Sequence, residues 1–177
     1  MEVSLVLGLL ACKEKSREIT AIPKLLELLE INGCIVTIDA MGTQSEIAKK
    51  ITENGADYIL TLKENQKTLY EAVRLFLEEY RKNLAGLDPV CCAMSHSQGH
   101  GRYESGTCFT CADIGWLNGR EKWRGLSGIG VIFCKVEQAG KVSKQVHYFI
   151  YSCCPGTQAK SSDWNGKNWY NTLYLST

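Results

Sequence analysis

The 177-residue chain lacks a charge excess: 20 Lys and Arg stand against 19 Asp and Glu, a formal net charge of +1. No global basic field announces a polyanionic partner, although a local basic groove is compatible with a neutral total. The chain also lacks a long hydrophobic run. Val3 to Leu10 is apolar but too short to span a bilayer, so no membrane partner is expected. Leu9-Leu10-Ala11-Cys12 imitates a lipoprotein cleavage site. Glu2, not Lys or Arg, precedes the run, whereas an export signal needs a positive start. Val3 to Leu10 is therefore read as a strand and the protein as cytoplasmic. No Gly-x-Ser-x-Gly elbow, no phosphate-binding glycine loop and no internal repeat occurs, so the motifs of serine hydrolases and P-loop nucleotidases are missing.

The composition otherwise suits a globular domain, with 45% hydrophobic and 22% charged residues. Nine Cys are present, an odd number at irregular spacing, with adjacent pairs at Cys91-Cys92 and Cys153-Cys154. A secreted disulfide framework fits poorly, and reduced thiols fit better. Cys108 and Cys111 form a lone CxxC in a strand pattern, where positions three apart face opposite ways. Cys91, Cys92, His96 and His100 match no standard zinc spacing. A thiol-ligated zinc module is the weakest of three functional readings.

Along the chain, Ile19, Ile22, Leu25, Leu26 and Leu29 predict a helix with Thr20 as its cap and Pro23 in its first turn, ended by Asn32-Gly33. Ile35-Val36-Thr37-Ile38 predicts a short buried strand. Asp39 follows it, and Thr43-Gln44-Ser45-Glu46 has the form of a capping box before the helix carrying Ile47, Ala48 and Ile51. Tyr58 to Leu62 is the next strand, Lys63 to Gln66 a polar turn, and Leu69, Val73, Phe76, Leu77 and Tyr80 mark a third helix. Alternating strands and helices predict an α/β unit with a mostly parallel sheet. After Asp88-Pro89, Tyr103 to Thr110, Ile129 to Val136 and Val146 to Ser152 read as antiparallel strands, the last two forming a hairpin around Gly140. From Cys153 onward periodicity ends.

If the first strands are parallel, Asp39 and the group Lys63, Asn65 and Gln66 share the carboxyl rim of the sheet, where open α/β sheets place ligands. An Asp there is a turn cap or a metal ligand. A carboxylate beside a Lys and two amides is either a phosphate-and-metal environment or an ordinary polar rim.

Three ordered stretches, Glu14 to Pro23, Cys34 to Gly42 and Asp57 to Tyr70, resemble the catalytic region of the bacterial H-repeat-associated DDE transposases of insertion sequences. His100-Gly101-Arg102-Tyr103-Glu104 and Asp113-Ile114-Gly115-Trp116-Leu117 are also similar to that family, and the resemblance covers Leu5 to Ser152. It implies a partial RNase H-like core over residues 1–88, a β-rich insertion over 89–153 and an irregular tail over 154–177. It also implies two Mg²⁺ ions held by an Asp, Asp, Glu triad that cut and join DNA strands. Asp39 matches the second Asp and is the implied catalytic metal ligand. Lys63, Asn65, Gln66 and Arg102 fall on family motifs implied to touch DNA, with Arg102 also able to pair with Glu104. The partner implied is duplex DNA at insertion-sequence ends, bound by a monomer or a homo-oligomer.

Departures from the family bear on activity. The motif of the first Asp is not found, and Gly106 stands where the family has Arg. The Glu motif has one trace, Asp163-Trp164-Asn165-Gly166-Lys167-Asn168. Either Lys167 replaces the Glu or the reading frame changes after Cys153. One carboxylate of three holds two metals poorly, so weak Mg²⁺ binding and an inactive fragment with an exposed sheet edge are expected. The alternative is a non-catalytic DNA-binding or interaction module.

Overall fold

The computed structural model describes residues 18–82, 90–99, 102–153 and 172–175. The strand expected over Val3 to Leu10 lies outside them. Among the described residues three helices, α1 (Glu18–Leu28), α2 (Ser45–Glu53) and α3 (Lys67–Lys82), accompany seven strands. These are β1 (Ile35–Ile38), β2 (Asp57–Leu62), β3 (Val90–Gly99), β4 (Arg102–Cys111), β5 (Gly128–Gln138), β6 (Lys141–Tyr151) and β7 (Thr172–Leu175). All seven join one sheet in the order β3-β4-β5-β6-β2-β1-β7. The fold is mixed α/β, and no helix among the described residues is long and apolar enough to cross a membrane.

Only β7, β1 and β2 run parallel; β6 meets β2 antiparallel, and β3 to β6 form an antiparallel meander. The parallel pairing expected of the β-α-β unit and the antiparallel strands expected after Asp88-Pro89 are both present. The tail expected to be irregular contributes β7, whose Thr172–Leu175 pair with Ile35–Ile38 and cover an edge of β1. The strand β3 was not expected at all; its ten residues pair with β4 from Val90↔Cys111 to Gly99↔Arg102.

Strand alternation builds the core. Val36 and Ile38 of β1, Tyr58, Leu60 and Leu62 of β2, and Tyr148 and Ile150 of β6 are buried with Leu26, Ile47, Ile51, Val73 and Leu77 of the helices. Each such side chain contributes roughly 1.5–3 kcal/mol on burial. On the opposite face, Phe149 lies across Gly130 and Tyr151 across Gly128, their cross-strand partners. A Cβ at Gly130 would stand 2.2 Å from the Phe149 ring, which is why a glycine is placed mid-strand.

Two local expectations change. The helix α1 is already under way at Glu18, so Thr20 lies inside it and Pro23 lies beyond its first turn. The capping box does not form: α2 begins at Ser45 with Gln44 as N-cap and no side-chain cap bond. Thr43 faces the sheet instead, fully buried, and bonds across to β2.

Register sets the shape of the antiparallel half. Tyr148 of β6 pairs with Leu62 at the end of β2, yet β6 starts at Lys141. The antiparallel strands therefore project on the order of 20 Å past the carboxyl ends of β1 and β2, at ~3.3 Å per residue. The hairpin turn Ala139-Gly140 and the Gly99/Arg102 end of β3–β4 lie at the tip of this projection.

Candidate metal and nucleic-acid site at the sheet rim

The carboxyl ends of β1 and β2 each pass into a short 3₁₀ turn, Ala40–Gly42 and Glu64–Gln66. Asp39 caps the first: its Oδ1 accepts from the Met41 N–H at 3.1 Å. Of the two roles open to it, the cap is directly visible; it leaves the half-buried carboxylate on the rim. Gly42 closes the turn because a Cβ there would stand 2.3 Å from Ile38 Cγ2 and 2.7 Å from Ile22 Cδ1.

Three side chains tie the turns together. Thr43 Oγ1 bonds to the Thr61 carbonyl at 2.7 Å and to the Asp39 carbonyl at 3.2 Å. Asn65 donates Nδ2 to the Ala40 carbonyl. Gln66 donates Nε2 to the Thr43 carbonyl at 3.0 Å. One amide donor of each is thus engaged with the loop that carries Asp39. Lys63, the first residue after β2, is exposed.

The structure brings Asp39, Lys63, Asn65 and Gln66 to one rim and places Arg102 apart from them. Arg102 opens β4 opposite Gly99 and Gln138, at the far tip of the projection, with its side chain outside the described residues. Sequence reasoning missed Thr43 as a strut between the turns. The available signal was a threonine directly after a glycine at a predicted strand rim. It also missed the acid held under the projection, where Glu78 of α3 accepts from Arg74 Nη1 at 3.1 Å and from Tyr148 Oη at 3.2 Å.

Among the described residues no group of three His, Cys, Asp or Glu side chains comes together. Cys108 and Cys111 of β4 are in no disulfide, and burial pushes the Cys111 thiol up, which opposes the thiolate that zinc requires. His96 faces Tyr103, with Nδ1 3.1 Å from its hydroxyl. His100 lies outside the described residues.

The transposase DDE domain family matches residues 2–103, more than half of the chain. The chain belongs to that family. A protein encoded in the dhlA 3′ region of Xanthobacter autotrophicus is 39% identical over 138 residues, covering 78% of this chain and 45% of that one. YhhI of Escherichia coli strain K12, whose name carries the words H repeat-associated and transposase, is 38% identical over 156 residues, 84% of this chain and 40% of its own. YbfD of the same strain, named in the same words, is 51% identical over 69 residues, 39% of this chain and 27% of its own. The chain thus spans less than half the length of these relatives. No solved structure matches it. The rim lies within the matched segment, so Asp39, Lys63, Asn65 and Gln66 are residues of the DDE domain, as is Arg102 near its end.

Proposed function

We propose that this chain is a part of a DDE transposase whose rim binds duplex DNA and which does not cut DNA by itself. In this reading β1, β2 and their helices are part of an RNase H-like core. Asp39 is the second Asp of the family triad, and Lys63 is a backbone-phosphate contact beside it. Asn65 and Gln66 each use one amide donor to hold the turn in which Asp39 sits, and the rest of each amide contacts DNA. Arg102 contacts DNA from the projection. The observation that carries the reading is the pair of clasped turns, which presents a carboxylate and a free-standing lysine at the carboxyl rim of a parallel strand pair.

The donor set does not fit a two-metal cage. Asp39 is the one triad carboxylate matched, and Mg²⁺ binds octahedrally and dehydrates reluctantly, so one carboxylate holds it weakly. When two ions are bound, such cores activate an attacking oxygen and stabilise the leaving one. No step of that kind is assigned to these residues alone.

Binding and cleavage of duplex DNA, with Mg²⁺ or Mn²⁺, test the reading in wild type and Asp39→Asn. The expected result is salt-dependent binding by both and turnover by neither. Wild-type turnover lost in Asp39→Asn overturns the inactive reading; no binding at low salt overturns the nucleic-acid one.

A further inference from the structure

The projecting strands carry a charge arrangement with a cost attached. Lys135 of β5 pairs directly with Lys144 of β6, so both ammonium groups stand on one face of the sheet. Like charges directly opposite destabilise a strand pair. Lys135 has Glu137 Oε2 at 3.6 Å, two residues along the same face. Lys144 has no ion pair among the described residues.

Both lysines edge a concavity of about 480 Å³ between this face and α3, lined also by Glu78, Ser105, Thr107 and Tyr148. The carboxylate of Glu78 is taken up by Arg74 and by the Tyr148 hydroxyl. Phe133, Cys134, Gln145 and Val146 complete the lining, and its polar donors are Lys144, Lys135, which also holds Glu137, and the hydroxyls of Ser105 and Thr107. All of these donors can serve an anion. The projection extends beyond the rim that carries Asp39 and Lys63, so a polyanion lying on that rim runs alongside it.

We propose that this concavity seats a backbone phosphate of the bound duplex, with Lys135 and Lys144 as its ligands. The inference rests on the nucleic-acid reading above and names a second contact for it.

The salt dependence of duplex binding measures it, because each phosphate neutralised contributes about 0.9 to the slope of log K against log salt. Lys135→Gln combined with Lys144→Gln is expected to weaken binding and reduce the slope by about one unit. Lys49→Gln, on α2, is expected to leave the slope unchanged. Thermal unfolding of the double variant serves as the folding control and is expected at or above the wild-type temperature, since the repulsion is removed. An unchanged slope in the double variant, with the wild type still binding, overturns this contact and leaves the rim reading standing. Absence of salt-dependent binding by the wild type overturns both.

Discussion

At Asp39 the backbone is still extended, with φ −70° and ψ 175°, and the side chain folds forward onto the Met41 amide. Such a bond orients a carboxylate without neutralising it. The support is Thr43, which has no exposure and whose hydroxyl reaches carbonyls on both sides of the rim. Thr43→Val keeps the shape and removes the hydroxyl, leaving the half-buried Thr61 carbonyl short of a partner at a cost of about 1 kcal/mol. Thr43→Ser keeps the bond and should lose much less. Denaturant midpoints of the two variants check this; equal losses would mean that the methyl group, not the hydroxyl, matters. The candidate residues were legible in the sequence because a β-α-β unit sends the carboxyl ends of both strands to one rim. The clasp was not, because Thr43–Thr61 and Asn65–Ala40 span 18 and 25 residues and depend on register, which local spacing does not encode. Local spacing favoured a capping box at Thr43, and the tertiary bond displaced it.

Among the elements, α2 and α3 could be read from their apolar stripes, and β5 and β6 from β-rich runs around a glycine turn. The strand β3 could not: Val-Cys-Cys-Ala-Met-Ser-His-Ser-Gln-Gly offers small and polar residues, and its order comes from ten pairings with β4. The four residues of β7 are too few to show a period. The β5–β6 turn carries a local conflict. Two-residue hairpins of this kind need positive φ at both central positions, and Ala139 at φ 50° precedes Gly140 at φ 74°. An L-residue with a Cβ pays for that conformation by roughly 1–2 kcal/mol, whereas Asn tolerates it. Ala139→Asn should therefore stabilise the hairpin by about 0.5–1 kcal/mol, seen as slower amide hydrogen exchange across Val136–Ser143. Faster exchange in the variant would show that the turn is not the weak point of the projection.

On the scale of the whole molecule, the parallel and antiparallel halves of the sheet are joined through one seam, β2 against β6. Three buried tyrosines flank it: Tyr58 on β2, and Tyr148 and Tyr151 on β6, opposite Leu62 and Ile59. Burial pushes all three phenols up, and for Tyr148 the neighbouring Glu78 carboxylate adds to it, taking the group to about 12. The Tyr58 hydroxyl has no hydrogen-bond partner among the described residues, so its ionised form would stand there unaided. The unfolded chain releases the same protons near pH 10, at about the ordinary phenol pKa. Because the folded pKa lies above the unfolded one, the stability tied to these groups is complete below about pH 10 and lost as pH rises toward the folded values. Ionising any of the three puts a charge into the seam on which both halves depend. The tyrosinate absorbance of three of the eight Tyr should therefore rise together with the loss of sheet circular dichroism, in one cooperative alkaline step above about pH 10. Titration of all eight Tyr near about pH 10 with the sheet signal intact would mean that the seam opens without unfolding, and that the two halves of the sheet are held together elsewhere.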